Sequence, residues 1–122
     1  KLNNKRELEK NKLISFLKKE ILSKKRIIGF GASISCITFI YDFKIENKFN
    51  FLVDDNSLKF NLYSPGSKIK VCDPLKFNFR KDDVIVILAW RYKNMILSKY
   101  KKIFKNKIVL EVWPKFKILV LK

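Results

Sequence analysis

Three short stretches hold the residue types that could do chemistry. The first is Gly29-Phe30-Gly31-Ala32-Ser33. Two glycines one residue apart let a backbone turn tightly and approach a phosphate, and the free N–H groups of a following helix favour an anion. The same pair would equally serve only to close a strand-to-helix turn, and Ile34 stands where a dinucleotide fingerprint has its third glycine. Asp54 follows Gly31 by 23 residues, the place of a ribose-binding acid in a nucleotide-binding α/β fold. The second stretch, Asp54-Asp55-Asn56-Ser57, is turn chemistry: two adjacent carboxylates cap a turn more readily than they hold a divalent cation without further acidic ligands. The third is Leu88-Ala89-Trp90-Arg91-Tyr92-Lys93, where an arginine beside two aromatics suits a phosphate and a base or sugar face. Its alternative is a tryptophan that plugs the end of a sheet while Arg91 opens a helix in solvent.

Other chemistries fall away. The chain has no histidine, so it supplies no Ser/His/Asp triad, no Cys/His dyad, no His-ligated metal and no imidazole base. Cys36 and Cys72 are not spaced as a Cys-x-x-Cys pair, which leaves them as small hydrophobes in a reducing compartment.

The elements that would position these stretches follow from periodicity. Residues 3–24 read as an amphipathic helix, with Leu13, Leu17 and Ile21 along one stripe, widened by Ile14 and Leu22. Residues 25–33 form a short buried strand entering a glycine turn, and Ile34 to Tyr41 make an inward-facing helix despite their β-branched content. Further strands are expected at 49–54, 68–71, 82–90, 107–112 and 117–121, a Pro-Gly turn at 64–67, and a helix over 91–104 with Met95, Ile96, Lys99, Tyr100 and Ile103 on one side. Apolar runs without strict alternation, interleaved with helices, predict a mostly parallel sheet covered on both faces: a three-layer, Rossmann-like α/β domain with an N-terminal amphipathic helix.

The 122 residues carry 28 Lys+Arg against 11 Asp+Glu, a formal charge of +17. Such a balance admits nucleic-acid binding through phosphate neutralisation. Yet the 24 lysines outnumber the 4 arginines that read phosphates and bases bidentately, so a solvated lysine coat is the better account. With 48% hydrophobic residues the chain is no disordered basic tail. The longest uncharged stretch, residues 27–41, is shorter than the roughly 18 residues of a membrane span, and no signal-peptide pattern precedes it. A cytoplasmic protein without a membrane span is expected. Because the chain begins with Lys, residues 1–122 read as one domain excised from a longer protein.

Four stretches in order resemble the C-terminal domain of S-adenosylmethionine-dependent C-methyltransferases, especially those acting on nucleotide-linked deoxysugars. They are Gly29-Phe30-Gly31-Ala32, Val53-Asp54-Asp55-Asn56-Ser57-Leu58-Lys59, Pro65-Gly66 with Ile69-Lys70-Val71, and Leu88-Ala89-Trp90, spanning about residues 24–96. Where that family commonly shows Ala-Lys-Gly, this chain has Ile34-Ser35-Cys36, so no phosphate-reaching lysine carries over to Ser35. The resemblance implies a substrate-side domain that binds a nucleotide-sugar or another anionic small molecule. Gly29, Gly31, Ala32, Ser33, Asp54, Lys59, Trp90 and Arg91 are its candidate site, with no catalytic or metal-ligating residue among them. It implies no cofactor held by this domain, with S-adenosylmethionine and zinc belonging to the remaining methyltransferase domains, and no methyl transfer by this chain alone. The alternatives are a non-catalytic interaction module and a lysine-rich nucleic-acid-binding domain.

Overall fold

The computed structural model of the chain describes residues 2–64, 66 and 68–122. Helix α1 (Leu2–Leu22) precedes strand β1 (Ile27–Phe30), helix α2 (Ile34–Asp42), β2 (Phe51–Val53), β3 (Val71–Cys72) and β4 (Val84–Ile87). Helices α3 (Lys93–Lys99) and α4 (Lys101–Phe104) follow, then β5 (Ile108–Glu111) and β6 (Lys117–Val120). The strands form one six-stranded sheet in the order β3-β2-β1-β4-β5-β6. Every neighbouring pair is parallel except β5 and β6. The exception has a simple cause: residues 112–116 are too few for a parallel crossover, which needs about a dozen, but ample for a hairpin.

Both faces of the sheet are covered, which is why β1 and β4 are apolar at every position except Gly29. Ile27, Leu52, Val84, Val86 and Leu110 face Leu13, Leu17, Cys36 and Ile40 of α1 and α2. Ile28, Phe30, Val53, Ile85, Ile87 and Val109 face Ile96, Tyr100 and Phe104 of α3 and α4. The expected three-layer α/β architecture with a mostly parallel sheet is the one observed. Among the described residues no helix is long and apolar enough to cross a membrane.

Some local expectations are corrected. On α1 the buried line runs through Glu9, Leu13, Leu17 and Glu20, while Ile21 and Leu22 are exposed. Carboxylates lie inside because each is paired: Glu9 accepts from the Phe116 N–H at 2.6 Å and Glu20 meets Lys25 at 3.2 Å. The Phe116 bond is the main reason that the Glu9 carboxyl is held below the usual carboxylate range, with Lys12 reinforcing it against the opposing effect of burial. The helix expected over 91–104 is broken into a 3-10 turn at Trp90–Tyr92, α3 and α4. The break falls at Tyr100, whose ring packs on Phe30 with centroids 4.9 Å apart. Of the residues expected along one side of that helix, Ile96 and Tyr100 are inside, while Met95 and Lys99 are exposed. The strand at 68–71 shifts to Val71–Cys72, preceded by an antiparallel bridge between Tyr63 and Lys70. In the turn between them Gly66 takes the expected positive φ, 79°, and Pro65 and Ser67 lie outside the described residues.

The amino ends of β1 and β4 are tied together by Arg26, which donates to Asp83 twice, from Nε at 2.9 Å and from an Nη at 2.7 Å. Asp83 also accepts from the Arg80 N–H, and Arg26 reaches the Asn78 carbonyl and lies over the rings of Phe51 and Phe77. Hydrogen bonding to Asp83 raises the Arg26 pKa further above its ordinary value.

Candidate ligand cleft at the carboxyl edge

Connections from β1 and β4 leave in opposite directions along the sheet, so their carboxyl ends are splayed apart by the loops that follow. In open α/β sheets this switch point is where a crevice forms. Gly31 ends β1 with φ 122°, its N–H bonded to the Val53 carbonyl at 2.8 Å. A Cβ there would fall 2.7 Å from Cys36 Sγ and 3.0 Å from the Ala89 nitrogen. Only glycine permits both the backbone conformation and this close approach of β1, α2 and β4. Gly29 serves packing instead, for its Cβ would meet Leu52 and Leu88 at 2.7 Å within the core.

Ser33 caps α2: its hydroxyl accepts from the Cys36 N–H at 3.3 Å and lies 3.0 Å from the Ser35 hydroxyl. The amides of Ile34 and Ser35 are the first two of α2 and have no carbonyl within the helix to bond. Both residues line a cleft of about 700 Å³ bounded by α2 on one side and by Leu88, Ala89, Trp90, Arg91 and Tyr92 on the other. Arg91 is exposed, with its guanidinium 5.0 Å from the centre of the Trp90 ring, and Trp90 is half-buried rather than sealed into the sheet end. A smaller cavity of about 250 Å³ adjoins it across Ser33, Cys36, Ala89 and Tyr92, and reaches Gly31, Asp54 and Asp55.

Both oxygens of Asp54 accept from backbone, one from the Ala32 N–H and the other from the Asn56 N–H, each at 2.8 Å. It therefore clamps the glycine loop to the end of β2, and the Ala32 amide is spent on it. Asp55 takes Lys99 at 3.2 Å and the Tyr100 hydroxyl at 3.4 Å. Burial raises the Tyr100 and Cys36 pKa values, so Cys36 stays a thiol at the cleft wall. Lys59 is half-buried beyond both cavities, with its charge felt at Cys36. Lys93 meets Glu111 at 2.6 Å and anchors the start of α3, and with it the Trp90–Tyr92 turn, to β5.

Of the eight residues singled out from sequence, Ser33, Trp90 and Arg91 line the larger cavity, while Gly31, Ser33 and Asp54 line the smaller. Gly29, Ala32 and Lys59 lie outside both linings. Sequence reading missed Phe39 and Asp42, which share the cleft with Ser35. Their spacing of i, i+4 and i+7 along α2 was the available signal, since such residues lie on one helix face. Among the described residues no group of His, Cys, Asp or Glu gathers as a metal would require.

A mostly parallel sheet with a glycine loop, a helix N-terminus and an aromatic-flanked arginine around a cleft at its switch point defines a Rossmann-like α/β domain. Within that class, this chain belongs to the C-methyltransferase C-terminal domain family, whose model matches residues 1–112. No curated protein matches the chain.

Proposed function

We propose that the chain is the substrate-side domain of an S-adenosylmethionine-dependent C-methyltransferase and that it holds a nucleotide-linked sugar by its diphosphate. The observation that carries this reading is the cleft itself, where the unbonded amides of Ile34 and Ser35 share one wall system with Arg91. Amides at a helix N-terminus and a guanidinium suit a diphosphate, and Arg91 supplies the positive charge that Ser35 does not. Gly31 and Asp54 shape the loop rather than touch the ligand. Methyl transfer belongs to the remainder of the protein, which family membership makes the partner of this domain and where S-adenosylmethionine and zinc would reside. The setting is cytoplasmic, in keeping with the free thiols of Cys36 and Cys72.

Titration of the chain with nucleoside diphosphates and a nucleotide-sugar, followed by backbone amide shifts, tests this. Residues 31–35 and 89–92 are expected to move, and Arg91→Ala to weaken binding roughly tenfold while stability stays within about 0.5 kcal/mol. No movement at millimolar ligand overturns the reading and leaves a domain that serves only interdomain packing.

A further inference from the structure

The large cleft continues past the carboxyl end of α2 into a recess of about 210 Å³ lined by Arg6, Phe39, Asp42, Phe43, Trp90 and Trp113. Phe39, Asp42 and Trp90 belong to both spaces, so the two are one groove. Its far end is aromatic on several sides: Phe39 stacks on Phe43 with centroids 4.1 Å apart, and Trp113 meets Phe43 edge-on at 6.5 Å. Both tryptophans of the chain are in this recess, each only partly buried, although they lie in separate loops at the ends of β4 and β5. At the rim Arg6 pairs with Asp42 at 3.1 Å, with both side chains about half exposed. That pair offers donors and an acceptor within reach of a ring edge.

The groove has a direction. It runs along α2 from Ser33 to Asp42, about 13.5 Å at a rise of about 1.5 Å per residue. The positive end of the helix macrodipole and the free amides lie at Ser33, and the negative end lies at Asp42 beside a carboxylate. A phosphate is favoured at the first end, whereas at the second Arg6 is already paired with Asp42 and a neutral planar ring suits the aromatic recess.

We propose that the recess between Trp90 and Trp113 binds the base of a nucleoside diphosphate whose phosphates lie at the N-terminus of α2. The proposal rests on the nucleotide-binding reading of the cleft and adds the part of the ligand that reading leaves unassigned. Trp113 is the first residue beyond the segment matched by the family model, so this end of the site lies at the limit of what family membership describes.

Trp90 and Trp113 are the two tryptophans of the chain, so Trp90→Phe leaves Trp113 as the sole tryptophan reporter. Uridine, thymidine and adenosine diphosphates are titrated against this variant, with inorganic pyrophosphate as the base-free probe. The nucleoside diphosphates are expected to quench or shift Trp113 emission, and pyrophosphate to bind without doing so. Trp113→Ala is expected to weaken nucleoside diphosphate binding roughly tenfold, equivalent to about 1.4 kcal/mol, and to leave pyrophosphate binding unchanged. Trp113→Phe keeps a flat ring and is expected to retain most of the affinity, which separates lost stacking from a damaged fold. Nucleoside diphosphates that bind no better than pyrophosphate, with Trp113 unmoved, overturn the proposal and leave the phosphate site standing. Failure of every nucleoside diphosphate to bind removes both this inference and the reading beneath it.

Discussion

The two ends of β1 and β4 are built on opposite plans. At the amino edge, Arg26 and Asp83 saturate each other, Asp83 takes a further backbone donor, and two phenylalanine rings cover the guanidinium. At the carboxyl edge, the first amides of α2 are unbonded, Arg91 is exposed over an open ring face, and Ile34 is 85% exposed at the cleft mouth. The same strands therefore end in a closed network on one side and an unfinished one on the other. Polar groups that are fully paired contribute stability, and polar groups left wanting a partner in a concavity are available to a ligand. The carboxyl edge is where the pairing stops.

Substitutions at the two edges should separate stability from binding. Asp83→Ala is expected to have the largest effect, about 3 kcal/mol in urea unfolding, because it leaves the Arg26 charge in a mostly covered position without its partner. Ligand-induced shifts at residues 31–35 should persist in the folded fraction, and a loss below about 1 kcal/mol would erase the distinction between the edges. Gly31→Ala comes next, at about 2 kcal/mol, from the positive φ and the contacts its Cβ would make with Cys36 and Ala89. Unlike Asp83→Ala it should also abolish nucleotide binding, because it separates the walls of the cleft.

Glu9→Gln is expected to cost least, on the order of 1.5 kcal/mol, from weakening a charge-assisted bond to the Phe116 N–H. The folded-state pKa of Glu9 lies below its ordinary value. The bond's contribution is therefore present above the unfolded carboxyl pKa of about 4.3 and fades as pH falls through the folded value. Unfolding curves of both proteins from pH 7 downward should converge only once the pH has fallen below the lowered folded-state value. A gap independent of pH would mean that the carboxylate charge has no part in holding the 113–116 loop, and so none in setting the aromatic recess.

Much of this was legible in order along the chain. Val84 to Ile87 could only be an inner strand, Gly29 to Ser33 a tight strand-to-helix passage, and Trp90-Arg91 a strand end. Each depends on local propensity and on the burial of consecutive apolar residues. The misreadings share another cause. Periodicity puts Ile21 on the buried stripe and leaves Glu9 off it, because a single helix does not reveal that the Phe116 N–H waits for the carboxylate across the fold. The bracing role of Asp54 was hidden in the same way, because the Ala32 amide it bonds lies 22 residues earlier.

The sequence by itself determined the layered α/β architecture, the absence of imidazole chemistry, and the stretches from which a site would be built. Those are properties of composition and of periods two to four residues long. Only the tertiary structure decided which of the marked residues line the cleft. It made Asp54 a brace of the glycine loop at the wall of the smaller cavity, packed Gly29 into the core, left Arg91 open, and brought Trp113 to the same recess as Trp90 and Asp42. Such contacts join residues distant in the chain, and their partners are chosen by how the layers pack rather than by any local pattern.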